Sequence, residues 1–222
     1  MGPRQPFNRN AFHLRAFYND ETELIVRQLT NLGRNKIAVF HQNDAYEKAG
    51  LDGVTLALAI INATKPDAVV QISTYASCAA YIRAARKAGY GGTFYKVSFV
   101  GAQALADALG TEGAGMAISQ VVPTPYSTSK AITREFMAAI AEGGSQVQPN
   151  FSSMEGFMAA KLFAEGVRRA SGRLTHDSLI SGLESIRDWS MGGFNVSFSP
   201  TNHVASSYAE LSMITADGKI RT

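Results

Sequence analysis

The sequence has almost no cysteine, since Cys78 is the only one among its 222 residues. A single thiol excludes an internal disulfide and a zinc site built from cysteine pairs. The residues around it are small, and a reactive thiol would need a base such as His41 close by. We therefore expect Cys78 to behave as a small buried apolar side chain.

Long apolar runs are also missing. No stretch reaches the roughly 18 apolar residues that a membrane-crossing helix needs, so no transmembrane helix is expected. The segment 1–7 lacks the apolar core of a secretion signal, so no signal peptide is predicted in this chain. On this evidence alone, the chain is expected to stay in the cytoplasm.

The basic and acidic residues nearly balance, and the sequence contains no familiar catalytic motif. The 21 basic and 18 acidic residues give a net charge of +3 without a basic cluster, which argues against a nucleic-acid partner. The sequence has no nucleophile elbow, phosphate-binding loop, paired-histidine metalloprotease motif or cysteine pair. The glycine-rich segment 110–115 precedes a predicted strand instead of opening a helix, which favours a turn over a phosphate site. We predict no catalytic residues, no metal and no cofactor.

What the sequence does contain is a regular alternation of apolar runs and helical patterns. Asp20 and Glu23 form a pattern typical of a helix start, and Ile25, Leu29 and Leu32 share one apolar face of that helix. Continuous apolar runs follow, as in strands that are buried on both faces. The predicted strands are 36–41, 68–73, 93–99 and 116–122, and the later helices are 46–63, 75–87 and 101–109.

This β-α repeat predicts an α/β fold with a doubly wound, mainly parallel sheet. Ligands of such sheets bind where the strands end, so the loops 41–46, 73–75 and 98–103 form the candidate site. Tyrosine and short polar side chains suit a ligand site, although amphipathic packing would explain each tyrosine equally well. The candidate ligand-binding residues are Asp44, Tyr46, Thr74, Tyr75, Ser98 and Gln103.

The pattern changes after the prolines of segment 122–125, which are typical of a linker or a crossing. Helices are predicted over 130–142, 152–170 and 175–186, and a β-hairpin is predicted from runs 194–199 and 207–215. Glu155 is a lone carboxylate on the apolar middle helix. It is either a buried functional charge or, the interpretation we favour, a paired helix residue.

Six phrases of the sequence, in the same order, resemble the leucine/isoleucine/valine-binding proteins, which are type I periplasmic solute-binding proteins. One such phrase would be weak evidence, but six in order are specific. The resemblance runs from about Asn10 to the C-terminus. The phrases are Ile37 to Tyr46, Lys65 to Val70, Val97 to Gly101, Gly113 to Gly115 with Val121 to Pro123, Ser153 to Gly156, and Ser197 to His203.

The resemblance implies two lobes that are joined by three crossings and close on a small solute in the periplasm. The partner would then be the membrane permease of an ABC transporter. In this family a tyrosine at the place of Tyr46 lines the cleft, and a residue of loop 73–75 touches the ligand. An acidic residue near Gln103 binds the ammonium of an amino acid. The neutral Gln103 leaves aromatic acids and other small carboxylates as alternatives.

The chain also departs from the family pattern. Family members begin with a secretion signal and a full βα lobe, and they have a further strand after Ala59. The resemblance therefore implies a truncated copy, in which the apolar faces of helices 130–186 are exposed. The implied domains are 1–18, a lead and first crossing; 19–122, an α/β second lobe without one edge strand; 123–190, a helical remnant of the first lobe without its sheet; and 191–222, a hairpin and last crossing.

The function that follows from the resemblance is solute binding for an ABC-type uptake system. The expected solutes are branched-chain amino acids or related small carboxylates and aromatic acids. A ligand-sensing receptor module of the same fold is the first alternative, because fold alone does not fix function. An α/β enzyme is the second, although the sequence offers it no nucleophile and no cofactor motif.

Overall fold

The computed structural model describes residues 7–41, 50–98, 101–144 and 148–222. The helices are α1 (Tyr18–Asn31), α2 (Gly50–Thr64), α3 (Tyr75–Lys87), α4 (Ala102–Leu109), α5 (Ala131–Glu142), α6 (Phe151–Arg169) and α7 (His176–Glu184). The strands are β1 (Ile37–His41), β2 (Ala68–Ile72), β3 (Thr93–Lys96), β4 (Ala117–Gln120), β5 (Trp189–Ser190), β6 (Asn195–Val196), β7 (Glu210–Ile214) and β8 (Ile220–Arg221).

One six-stranded sheet dominates the fold, in the order β1-β2-β3-β4-β7-β8. Strands β1 to β4 are parallel to one another, whereas β7 pairs antiparallel with β4 and β8 antiparallel with β7. Each parallel strand is followed by a helix, as the alternating sequence pattern predicts. The predicted α/β fold with a mainly parallel sheet is therefore confirmed.

Helices cover both faces of this sheet. On one face, Ile25 and Leu29 of α1 pack in a buried cluster with Val70, Tyr95 and Ala117 of three neighbouring strands. Helix α3 covers the opposite face. The sheet is therefore doubly wound, and its inner strands β2 to β4 are mostly apolar because both of their faces are buried.

Aromatic packing fixes α3 on its face of the sheet. Tyr81 of α3 is fully buried. Its ring stacks on Phe40 of β1 at 4.5 Å between centroids and meets Phe94 of β3 edge-on at 6.2 Å. Burial raises the pKa of the Tyr81 hydroxyl to about 12, so that it stays protonated at neutral pH.

The chain forms two compact units. One comprises Tyr18–Gln120 and Ala209–Thr222 and contains the six-stranded sheet with α1 to α4. The other comprises Met1–Phe17 and Val121–Tyr208 and contains α5 to α7 with the two-stranded β5-β6 ribbon. The chain passes from one unit to the other after Phe17, after Gln120 and after Tyr208.

The predicted hairpin of 194–199 with 207–215 is wrong. Strand β6 pairs with β5 at the register Trp189↔Val196, whereas β7 pairs with β4 at Ile118↔Ser212. Both runs alternate between apolar and polar residues. Such alternation predicts a half-buried strand, but it does not predict which strand pairs with it. In the structure β7 forms four register pairs with β4, from Ala117↔Met213 to Gln120↔Glu210.

Helix α1 also differs from the prediction. It begins at Tyr18, so Asp20 lies inside its first turn instead of capping it. Leu32, which was expected on the apolar face, is 59% exposed because the helix ends at Asn31. The predicted helix 46–63 is observed as α2 over Gly50–Thr64, and its predicted start lies outside the described residues.

Glu155 behaves as the paired helix residue that we favoured. Its carboxylate accepts from Arg15 Nη1 at 3.3 Å, and both side chains are half-buried. The segment 12–17, part of the predicted first crossing, makes one isolated β-bridge, between His13 and Val204. This segment therefore crosses between elements instead of joining a sheet.

Candidate functional site

The four parallel strands end at the same end of the sheet, within two residues of one another in register. The register pairs His41 with Ile72 and Gln71 with Lys96, and Lys96 in turn pairs with Ile118. Residues that follow these strands therefore meet along one edge of the sheet. This is the edge at which ligands of parallel sheets bind.

Thr74 and Tyr75 lie at this edge, where β2 gives way to α3. Thr74 is the N-cap of α3, and its hydroxyl accepts from Ser77 N at 3.5 Å. Tyr75 is the first residue of the helix, and 40% of its surface is exposed. The capping bond orients Thr74, while Tyr75 offers a ring and a hydroxyl at the surface of the edge.

Ser98 follows β3 at the same edge and is half-buried. Its backbone N–H donates to Glu21 Oε2 at 2.7 Å. Ser119 Oγ, on the neighbouring strand β4, donates to the same carboxylate oxygen. Glu21 is fully buried in the first turn of α1. A carboxylate from the helix therefore connects the ends of two strands at the candidate site.

Gln103 lies in the first turn of α4, on the segment that follows β3. Its amide Nε2 donates to Asp107 Oδ1 at 2.7 Å, one helical turn further along. Gly101 precedes the helix as its N-cap with a φ of 55°, a left-handed conformation that favours glycine. In the sequence, Gln103 is thus close to the residues that follow β3, and its amide is directed along its own helix.

Asp44 and Tyr46 lie outside the described residues, so their place at the site stays a prediction. The four other candidates fall on the connections that follow β2 and β3. These two strands are neighbours in the sheet, which is why Thr74, Tyr75 and Ser98 share one edge.

A buried polar group lies under α3 at the same end of the sheet. Lys96 ends β3, is almost fully buried and donates from Nζ to Val97 O at 3.2 Å. Gln71, its partner in register, donates to the carbonyl of Cys78 at 3.4 Å. Burial raises the pKa of the Cys78 thiol to about 11, although the charge of Lys96 opposes that shift. The thiol therefore stays protonated, as expected for a structural cysteine.

Sequence reasoning missed the roles of Glu21, Ser119 and Lys96. For Glu21 a signal existed, because Glu21, Ile25 and Leu29 follow one another at intervals of four and therefore share the buried face of α1. For Ser119 and Lys96 there was none. In a strand that is covered on both faces, a polar residue gives no indication of which neighbour it meets.

The described residues offer neither a metal-binding cluster nor a membrane-crossing helix. No group of three or more His, Cys, Asp or Glu side chains there is arranged to hold a metal ion. Among the helices described, none is both long and apolar enough to cross a membrane.

Comparison with known proteins gives a consistent result. The family model described as periplasmic binding protein matches residues 55–219 of the chain. A crystal structure of a possible leucine/isoleucine/valine-binding protein from Rhodopirellula baltica is 28% identical, with a TM-score of 0.82. The match covers 95% of this chain and 65% of that one, so the chain spans less than two thirds of that relative.

Two other solved structures share the fold. An extracellular ligand-binding receptor from Verminephrobacter eiseniae is 24% identical with a TM-score of 0.86, and the match covers 99% of this chain and 70% of that one. A leucine binding protein from Thermotoga maritima is 16% identical with a TM-score of 0.75, over 91% of this chain and 63% of that one. No curated protein matches the sequence.

Proposed function

We propose, from the premise that the chain belongs to the periplasmic binding protein family, that it binds a small solute for an ABC-type uptake system. The proposed solutes are branched-chain amino acids or related small carboxylates, including aromatic acids. The partner would be the membrane permease of the transporter, and the place of action would be the periplasm. Proteins of this family are binding proteins rather than enzymes.

One observation carries the proposal: the parallel strands end at the same end of the sheet, and short polar side chains and an exposed tyrosine follow them. Thr74, Tyr75 and Ser98 line this edge in the order in which their strands lie in the sheet. A tyrosine ring supplies apolar area at low entropic cost, and the hydroxyls and backbone N–H groups nearby supply orientation.

Thermal unfolding in the presence of candidate solutes tests binding. L-leucine, L-isoleucine, L-valine and benzoate are added one at a time to the full chain. A solute at about 100 times its dissociation constant stabilises the folded state by about 2.7 kcal/mol, which raises the melting temperature by several degrees. Absence of a shift with every solute in this set would contradict the proposal.

Tyr75→Ala tests the site itself. Removing an aromatic contact from a binding site is expected to weaken binding about tenfold, as measured by isothermal titration calorimetry. The matched control is Tyr126→Ala, because Tyr126 is 39% exposed and belongs to the other compact unit. Equal affinities of the two variants would remove Tyr75 from the site.

A ligand-sensing receptor is the second candidate function. The name of the Verminephrobacter relative, an extracellular ligand-binding receptor, favours it. Uptake of labelled solute into vesicles that contain a permease separates the two. Dependence of uptake on this protein supports transport, whereas solute binding without any such dependence supports the receptor.

A further inference from the structure

Glu21 is a carboxylate that folding removes completely from water. It lies in the first turn of α1 with none of its surface exposed. Oε2 accepts from Ser98 N and from Ser119 Oγ, while Oε1 has no hydrogen-bond partner among the residues that the structure describes. Burial of a charge is costly unless hydrogen bonds compensate it, so a specific structural use is expected.

The two donors explain that use. Ser98 lies two residues beyond the end of β3, and its N–H donates to the carboxylate instead of to a neighbouring strand. Ser119 belongs to β4, the next strand of the sheet. Glu21 therefore provides the partner that the backbone needs where the β3 ladder stops. The positive end of the α1 dipole favours a negative charge at this position.

The apolar side chains that follow Glu21 hold it in this place. Ile25 and Leu29 lie one and two turns further along α1 and are fully buried in the cluster beneath the sheet. Their packing fixes the rotation of the helix about its axis. The side chain of Glu21 consequently points at the sheet, at the level where β3 and β4 end.

We propose that Glu21 is a positioning residue of the solute site. Its carboxylate holds the start of the β3–α4 connection against β4 and thereby fixes Ser98 at the sheet edge. This inference rests on the proposed function for its consequence in binding, although the hydrogen bond to Ser98 can be tested without any solute.

Hydrogen exchange of the Ser98 amide, followed by NMR on the full chain, is the first test. Glu21→Ala is expected to accelerate exchange at Ser98 about tenfold or more, because a hydrogen bond to a charged acceptor is lost. Glu21→Gln retains an acceptor oxygen and should restore most of the protection. Ser119→Ala tests the second donor in a variant that keeps the carboxylate.

Two controls separate positioning from general destabilisation. Glu23→Gln changes an exposed carboxylate two residues further along the same helix and should leave Ser98 exchange unchanged. The amide of Val70, in the centre of the sheet, reports on global opening. Equal acceleration at Val70 and Ser98 in Glu21→Ala, or no acceleration at Ser98, would overturn the proposal.

The second test is the affinity for L-leucine, or for whichever solute of the thermal screen stabilises the wild-type chain most. Glu21→Ala is expected to raise the dissociation constant about tenfold, with Glu21→Gln in between and Glu23→Gln unchanged. Unchanged affinity despite faster Ser98 exchange would overturn the role in binding. If no solute binds the wild type, the proposed function fails, and the exchange experiment still decides whether Glu21 holds Ser98.

Discussion

Among the described residues, folding largely removes the charged side chains of Glu21, Lys96 and Glu165 from water, and each is compensated in a different way. Glu21 accepts from a backbone N–H and a hydroxyl, and Lys96 donates to a backbone carbonyl. Glu165 of α6 accepts from Arg168 and Arg169, which follow it by three and four residues. Arg168, one of the two partners of Glu165, is largely exposed, whereas Glu21 and Lys96 bond to groups at the ends of the strands.

Glu165 leads to a prediction on acid stability. The pKa of Glu165 is lowered from 4.5 to about 2, mainly by the side-chain hydrogen bonds that its carboxylate accepts from Arg168. Because the folded-state pKa is depressed, the stabilisation is present above about pH 4.5 and is lost as the pH falls towards about 2. Glu165→Gln should cost about 1 kcal/mol at neutral pH, since water screens the exposed Arg168.

Urea unfolding at several pH values measures this effect. The difference between wild type and Glu165→Gln should shrink steadily below pH 4.5. Glu142→Gln is the control, because Glu142 is exposed at the end of α5. A difference that is independent of pH would show that the charge of Glu165 does not contribute.

Cys78 leads to a prediction at the other end of the pH scale. Burial raises its pKa from 9.0 to about 11, so between these values the folded state keeps a proton that the unfolded state has lost. This contribution to stability is complete below pH 9 and falls as the pH rises towards 11. Across this window the free energy of unfolding should therefore fall less steeply with pH for Cys78→Ala than for the wild type. The difference in slope should be up to about 1 kcal/mol per pH unit.

Unfolding by urea at pH 8 and at pH 10.5 measures the effect of Cys78. Tyr81 and Tyr90, whose pKa values burial also raises to about 12, are present in both proteins and cancel. Ser77→Ala is the neighbouring control. The same pH dependence in wild type and Cys78→Ala would contradict a buried, protonated thiol.

At the scale of elements, helices α6 and α7 approach each other closely where they cross. A Cβ on Gly182 would overlap the carbonyl oxygen of Gly166, and a Cβ on Gly166 would lie 2.5 Å from Leu183 Cδ2. Glycine at both positions lets the helix backbones approach each other. Helical periodicity predicts both helices from sequence, but it does not predict which turns meet.

Gly182→Ala should destabilise the protein by about 1–3 kcal/mol, because the added methyl group meets rigid backbone. Gly156→Ala, in the same α6, is the matched control. A Cβ there has nothing within 4 Å, and alanine is the better helix former by about 1 kcal/mol. Thermal or urea unfolding should therefore give shifts of opposite sign, and shifts of the same sign would refute the tight crossing.

The predicted elements agree best with the structure where the local sequence pattern and the tertiary packing favour the same element. Strand β2 and helix α3 lie where the sequence predicts them, since an apolar run is followed by an Ala-rich helical pattern. The hairpin prediction was wrong because β7 pairs with β4, which lies about 90 residues earlier in the chain. At the site, Thr74 and Ser98 could be nominated as residues that follow strands, but Glu21 required knowledge of what α1 packs against.

At the scale of the whole molecule, apolar surface remains on the unit that contains α5 to α7. Phe163 of α6 and Leu174 are each 56% exposed. The expectation that helices 130–186 expose their apolar faces is nevertheless wrong, because Ile132 of α5, Met154 of α6 and Leu183 of α7 are buried, and Phe163 and Leu174 are exceptions. Apolar side chains that remain in water favour association between copies.

Phe163→Glu should reduce concentration-dependent association, as measured by light scattering after size-exclusion chromatography. Burial of a phenylalanine contributes about 1.5–3 kcal/mol, so the apparent dissociation constant of any oligomer should rise about tenfold or more. Gln28→Glu adds the same charge at an exposed position of α1 and serves as the control. An equal effect of both substitutions would assign the change to net charge and not to the apolar surface.

The sequence by itself determined the class of fold, because apolar runs and amphipathic helices follow one another at short range. It also determined which residues follow the ends of strands, and so which side chains could line an edge. Only the tertiary structure decided that β7 completes the sheet beside β4, that α6 and α7 touch through two glycines, and that Glu21 meets Ser98 and Ser119. Periodicity specifies which face of an element is buried, whereas the partner of that face depends on packing between residues far apart in the chain.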